Sequence, residues 1–548
     1  MKSTVDSLVG KLFITGLPGL AVDADFASHY DRCPCGGFIL FGRNAHDLMQ
    51  VRKLTGALAD LALARGADWG PPLIAVDQEG GTLSPLKRIV TSLPGNMGLA
   101  ATGDLRTVAR AGYITGRDLL SLGITINFAP VLDLALEPLN PAVGTRSFGD
   151  DPHRVAEYGA AYAKGLLEAG VLFVAKHFPG HGGVSDDSHF SLPECSASKA
   201  DLLARDVIPF IEAMKLPCAA MMMAHIKFTS MDSLRPASLS YPLVTGFLRE
   251  ELGFDGVVLT DCLEMIGAQG AGTVPEAAVM AIEAGCDITL VSHTPALQEA
   301  AYAAVRDAVL SGRISLERVE RSVARIKRWK NGLAAHVTSR VETALDLSLD
   351  DLGERVVTFV GGDSSRPWRF GPGALVLVTP AMERITVAED AIDVRPLAHE
   401  LESRGVRCAM VSCAMDPDAR EIGVIMEEIE AAWRALTVTD VDGGGTTADA
   451  TLHPESSRSG DGKPRVALVV RSGGGASGQA ALAAAIEARW NLLLISIRDP
   501  RETRLVEAGL THRAPAVFTY STERVVLSAL ARVLAGEAGP KGVMPVRI

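Results

Sequence analysis

The sequence predicts an α/β protein. An N-terminal (β/α)8 barrel of the TIM type spans residues 1–335, a linker spans 336–372, and a smaller open α/β sandwich spans 373–548. Three observations lead there. Short apolar runs alternate with helical stretches through the first half, polar residues fall at the ends of those runs, and the alternation stops and then resumes further along. Alternation of this kind implies parallel pairing, and eight units in about 300 residues match the size of a (β/α)8 barrel.

In chain order the expected barrel strands are LFITG (12–16), GFILFG (37–42), LIAVD (73–77), TINFAP (125–130), LFVAKHF (172–178), AAMMMAH (219–225), GVVLTD (256–261) and ITLVS (288–292). Helical patterns fill most gaps, clearest over 104–123 and 151–170. The pattern ends with LERVERSVARIKRWKNGLAAH (316–336). It resumes with ALVLVTP, RCAMVSC, RVALVVRS, NLLLISIRDP and APAVFTY, the strands of a second, open α/β domain. Within it, VDGGGTTADATLHPESSRSGDGK (441–463) is polar and glycine-rich and reads as a surface insertion.

Composition narrows the function. A net charge of −12 spread along the chain argues against a nucleic-acid partner, whose phosphates need a basic face. Aromatics at 5% are too few for long stacking platforms. No run approaches a membrane span, and the N-terminus lacks the apolar core of a signal peptide. Eight scattered cysteines, several inside apolar runs, read as reduced thiols of a cytoplasmic protein. For the second domain, bracing the barrel or forming a homodimer are the expected roles.

The chemistry concentrates at strand ends. Asp77, Lys176, His177, His225 and Asp261 terminate four predicted strands, and in a barrel these ends open onto one face. A lone polar residue there can be a loop cap; five together indicate a site. The segment AKHFPGHGGVSDDSHFSLPE (175–194) adds His181, Asp186, Asp187 and His189. Asp187 and His189 stand two apart, so a turn can set the carboxylate against the imidazole, orient it and favour its protonated form. Asp261, presented from a rigid strand end, suits attack on an anomeric carbon. A retaining glycosidase needs that nucleophile and a separate proton donor.

These residues carry a family resemblance. AVDQEGG (75–81), NFAPVLDL (127–134), GTRSFGDDP (144–152), KHFPGHG with the following DSH (176–189), MMAH (222–225) and GFDGVVLTDCLEM (253–265) together resemble glycoside hydrolase family 3. KHFPGHG followed by D-S-H is similar to its β-N-acetylglucosaminidase branch. The resemblance implies that Asp261 is the nucleophile and His189, held by Asp187, the acid/base. It further implies that Asp77, Arg146, Lys176 and His177 bind sugar hydroxyls, that the substrate is a small glycoside, and that no cofactor or metal is needed. Two departures stand out. EGGTLSPLKR (79–88) places Thr82 and Pro85 where arginines are common in the family, and TDCLEM replaces SDDLSM while keeping the first aspartate.

Other readings stay open at this stage. His177, His181 and His189 with Asp187 could ligate zinc, although Pro179 and Gly180 interrupt any helix that would align them. Gly473, Gly475 and Gly478 satisfy G-x-G-x-x-G between a strand and a helix, the context of a dinucleotide fingerprint. A barrel kept only as a scaffold would show loss of Asp261, Asp187 or His189, and all three are present. A histidine donor puts less negative charge beside the glycosyl intermediate than a carboxylate would, so phosphate could replace water as acceptor.

Overall fold

The computed structural model describes residues 2–65, 70–138, 140, 142–184, 192–336, 348–361, 371, 373–380, 393–437, 464–470 and 477–547. They fall into two units. One comprises Met1–Ser92 and Asp104–Leu345, the other Leu93–Gly103 and Asp346–Ile548.

The first unit is a ring of parallel strands: β1 (Phe13–Gly16), β2 (Gly37–Leu40), β3 (Leu73–Val76), β4 (Ile126–Asn127), β5 (Leu172–Phe173), β6 (Ala175–Phe178), β7 (Ala220–Met223), β8 (Val257–Cys262) and β9 (Ile288–Val291). Their order is β5-β4-β3-β2-β1-β9-β8-β7-β6. β5 and β6 are two pieces of the single predicted run 172–178, separated by Val174. β5 pairs with β4 through Leu172↔Ile126, and β6 pairs with β7 through Ala175↔Met221. The two ends of the sheet are therefore joined by the chain itself, and the eight predicted runs form one closed barrel. Nearly every strand side chain is buried, as expected of parallel strands covered on both faces. β4 is shorter than the predicted 125–130 because Pro130 has no N–H to extend the ladder. Among the described residues, no helix is long and apolar enough to cross a membrane.

Helices pack outside this ring. Asp104 caps Leu105–Ser121, and Asp151, with Pro152 in the first turn, caps Pro152–Ala169, which ends on Gly170 at φ 91°. Gly165 lets these two helices meet: a Cβ there would lie 2.0 Å from the Ala109 carbonyl oxygen. On the barrel floor, buried Asp287 accepts from Arg249 (2.7 Å), from the Ser322 hydroxyl (2.5 Å) and from the Val258 amide of β8 (3.1 Å). The helix Leu316–His336 is thus tied to the strands from the floor side.

The second unit is a six-stranded sheet of β10 (Thr358–Val360), β11 (Gly373–Pro380), β12 (Val406–Cys413), β13 (Arg465–Val470), β14 (Asn491–Ser496) and β15 (Ala516–Phe518). Its order is β10-β15-β14-β13-β11-β12, parallel except for the antiparallel β10–β15 pair. The unit's limits differ from the sequence reading in two places. Within 336–372, read as linker, lie the helix Leu349–Val356, capped by Ser348, and β10. Leu352 and Val356 of that helix are fully buried, so this stretch belongs to the core of the second unit. Leu93–Gly103, read as barrel, also belongs to the second unit: Met97, Leu99, Ala100 and Ala101 are buried and the Val543 amide donates to the Ala101 carbonyl. The insertion 441–463 lies outside the described residues.

A mid-helix glycine normally costs up to about 1 kcal/mol relative to alanine. Gly165→Ala is expected to reverse that sign, destabilising the barrel by about 1–3 kcal/mol through overpacking, which thermal denaturation against wild type will measure.

Candidate active site

At the C-terminal face of the barrel, four strand ends bring five polar residues together. Asp77 follows β3, Lys176 and His177 lie in β6, His225 follows β7, and Asp261 lies in β8. Arg146 comes from a single 3₁₀ turn, Gly144–Arg146, beyond β4.

Lys176 and Arg146 are organised by a buried carboxylate, Glu79. Lys176 Nζ lies 2.6 Å from Asp77 Oδ1 and 2.6 Å from Glu79 Oε1. Arg146 clasps Glu79 with two parallel bonds, Nε to Oε2 and Nη2 to Oε1, both 2.8 Å, and its Nη1 donates to the Ala142 carbonyl. Glu79 is 1% exposed and Lys176 2%. Burial alone would raise the Glu79 pKa, but Arg146 and Lys176 outweigh it and hold it at about 2. Burial likewise works against the charge on Lys176, and Asp77 and Glu79 overcome it.

A second buried acid, Asp133, orients the histidines. His177 Nδ1 donates to Asp133 Oδ2 at 2.6 Å, and the His181 amide donates to Oδ1 at 2.7 Å. Burial raises the Asp133 pKa, but His177 and His181 bring it below the usual carboxylate range. With its Nδ1 committed, His177 turns Nε2 toward Asp261 Oδ2, 3.9 Å away. The His181 ring stands edge-on to His177 with centroids 5.9 Å apart, and burial lowers its pKa to about 4. Among the described residues, neither ring nitrogen of His181 has a hydrogen-bond partner.

Asp261 presents one oxygen to the Cys262 amide at 2.7 Å and keeps its side chain 24% exposed. Burial pushes its pKa up, yet the field of His225, His177 and Lys176 and the Cys262 N–H bring it to about 2. His225 fixes the surrounding turn, pairing Nε2 with the Cys262 carbonyl (3.0 Å) and Nδ1 with the Ser238 hydroxyl (2.7 Å). Burial pushes the neighbouring Cys262 thiol up to about 12, so it stays neutral beside the carboxylate.

Asp77, Arg146, Lys176, His177 and Asp261 are therefore gathered in one place. Asp187 and His189 lie in 185–191, outside the described residues. The approach to that segment is pinned: Gly182 passes so close to Leu134 that a Cβ would lie 1.8 Å from its carbonyl oxygen, and the Asn140 side-chain amide donates to the His181 carbonyl. Thr82 sits in the tight turn closed by the Gly80–Leu83 bridge and Pro85 just beyond it, with Lys87 partly exposed and Arg88 exposed further on.

Sequence reasoning missed Glu79 and Asp133 as site residues. Both lie inside quoted motifs, AVDQEGG and NFAPVLDL, and the available signal was an acid a few residues past an apolar run.

Two rival readings meet specific geometry. His177 has one nitrogen engaged by Asp133, and among the described residues no three His, Cys, Asp or Glu side chains converge on a metal position. In the second unit, Gly473 and Gly475 lie outside the described residues. Gly478 opens the helix Ser477–Arg489 beside Asp416, whose carboxylate accepts from the Gly478 amide at 2.5 Å and the Ser477 hydroxyl at 3.2 Å. A carboxylate of the chain itself thus occupies the helix N-terminus that a pyrophosphate would need. Gly478 is further required by its contact with Pro417, whose carbonyl oxygen would lie 2.4 Å from a Cβ.

Comparison with known proteins agrees with this geometry. Residues 7–329 match the family description "Glycosyl hydrolase family 3 N terminal domain". Beta-hexosaminidase A of Pseudoalteromonas piscicida is 30% identical, over 96% of this chain and 90% of that protein. A beta-hexosaminidase of Chromobacterium violaceum is 37% identical over 49% of this chain and 75% of its own length. Among solved structures, the glycoside hydrolase family 3 beta-N-acetylglucosaminidase from Paenibacillus sp. str. FPU-7 superposes with a TM-score of 0.82 at 31% identity, covering 99% of this chain and 98% of that one. A barrel whose rim gathers an ionised strand-end aspartate with buried cations, matched end to end by such relatives, places this chain in glycoside hydrolase family 3.

Proposed function

We propose that this chain is a retaining, exo-acting β-N-acetylglucosaminidase that removes terminal β-linked N-acetylglucosamine from small glycosides such as cell-wall muropeptide or chitin fragments. The observation that carries the reading is Asp261: a carboxylate held ionised, with a pKa of about 2, at the rim of a closed barrel, one oxygen fixed by a backbone amide and its side chain still open to the pocket. The relatives named beta-hexosaminidase and beta-N-acetylglucosaminidase support the choice of sugar. The eight cysteines, all free thiols, fit a reducing cytoplasm.

In this reading Asp77, Arg146, Lys176 and His177 hold the sugar hydroxyls. An Asp261 oxygen bonds to the anomeric carbon as the bond to the leaving oxygen breaks, and His189, paired with Asp187, protonates that oxygen. Water then loses a proton to His189 and attacks the same carbon, which releases Asp261 and leaves the configuration retained.

Three outcomes follow for aryl N-acetyl-β-glucosaminides. Asp261→Asn should lower kcat by a factor on the order of 10³ or more while the circular dichroism spectrum stays that of wild type; near-normal turnover would move the nucleophile elsewhere. His189→Ala should slow substrates with poor leaving groups far more than activated aryl glycosides, because only the former need a proton, and equal losses would make His189 structural. Proton NMR of the reaction should show the β-anomer of N-acetylglucosamine first, and in phosphate buffer should still show free sugar in preference to a glycosyl phosphate. Early α-anomer would refute retention.

A further inference from the structure

We infer that Glu79 is a positioning residue for substrate binding: it fixes the place and charge of Arg146 and Lys176 from behind and never touches the sugar. The inference rests on the proposed reading that Arg146 and Lys176 hold the substrate. Glu79 is only 1% exposed, whereas Asp77 and Arg146 expose 27% and 11% of their side chains. The carboxylate therefore stands behind Asp77 and Arg146, while Lys176, 2% exposed, is buried beside it. Its own backbone is anchored, with the Glu79 amide donating to the Leu83 carbonyl at 3.0 Å across the Gly80–Leu83 turn.

Its two oxygens bridge cations from different parts of the chain. Oε1 receives both Lys176 Nζ and Arg146 Nη2, and Oε2 receives Arg146 Nε. Lys176 sits in β6 and Arg146 in the turn beyond β4, and the two like charges repel across the gap that Glu79 fills. No neutral side chain can replace it. Glutamine offers one acceptor oxygen and turns an NH₂ group toward the other cation; aspartate is one carbon short of reaching both. Removing the carboxylate leaves both cations in place but without the acceptors that set their direction.

The test is a double-mutant cycle on the full chain, reading N-acetylglucosamine affinity by titration calorimetry together with KM and kcat for an aryl N-acetyl-β-glucosaminide. Glu79→Gln should weaken binding of the sugar and raise KM by about tenfold or more, with kcat falling less. Arg146→Met should do the same. The double variant should lose clearly less than the product of the two single losses, because Glu79 acts in part through that arginine, and the remainder of its loss runs through Lys176. Multiplying losses, or a Glu79→Gln affinity within about twofold of wild type, would overturn the inference. Should Glu79→Gln alone not fold, the double variant, which removes a charge pair together, still gives the test: it should bind N-acetylglucosamine more weakly than Arg146→Met, through Lys176, and equal affinity would overturn the inference. If the double variant is also unfolded while Arg146→Met folds, Glu79 is a folding residue and the inference fails. Failure of the underlying reading looks different: Arg146→Met and Lys176→Met would then bind N-acetylglucosamine like wild type.

Discussion

The run 172–178 is the constraint on which the barrel and its site both depend. Its first two residues pair with β4 and its last four with β7, so one segment closes the ring that would otherwise be an open sheet. Closure removes both sheet edges and fixes the angular position of every other strand end. The same segment delivers Lys176 and His177. Val174, between the two halves, donates toward both Asn127 and Ala129, which ties the changeover to the end of β4. The positions of the pocket's cation and of the imidazole facing Asp261 are consequences of how the sheet closes, and a loop change elsewhere does not move them.

The same parallel architecture made the barrel readable. A strand buried on both faces has no polar alternation to confuse with a helix, so each of the eight runs stands out as a continuous apolar stretch ended by a polar residue. Asp77, Lys176, His177, His225 and Asp261 were legible for that reason: each marks where apolar sequence meets the rim. Arg146 was reachable only through resemblance, because it sits in a loop turn with no periodic signal. Glu79 and Asp133 were hidden differently. Their roles lie in pairings with residues 67 and 44 positions away, and a single sequence carries no trace of such partners. Where the domain limits moved, the cause is element size. The eight-residue helix Leu349–Val356, the three-residue β10 and the six-residue helix Asn96–Ala101 are too short for periodicity to separate them from loop.

Electrostatic balance connects the buried groups to the chemistry proposed for them. Four carboxylates, Asp77, Glu79, Asp133 and Asp261, meet two permanent cations, Lys176 and Arg146, with His177 between Asp133 and Asp261. Two of the carboxylates are committed to holding others in place: Glu79 fixes Arg146 and Lys176, and Asp133 fixes His177. Among the described residues, no Lys, Arg or His nitrogen lies closer than 3.9 Å to Asp261, which leaves it open for the nucleophilic role proposed for it, yet it lies within a field strong enough to keep it charged despite burial. A carboxylate bonded tightly to a lysine or arginine would also be ionised, but its lone pairs would be occupied and attack would first require breaking that pair.

The excess of negative charge also bears on the transition state. In a glycosidase the anomeric carbon and ring oxygen become cationic as the leaving group departs, and fixed carboxylates lower the energy of that charge more than that of the neutral ground state. Lys176 and Arg146 would oppose this if they were bare. In the proposed reading, Glu79 and Asp77 neutralise them locally, so they would bind hydroxyls by direction without projecting full positive charge onto the reacting carbon. In that reading, binding and catalysis, which need opposite charges a few ångströms apart, coexist because a buried acid neutralises the two cations.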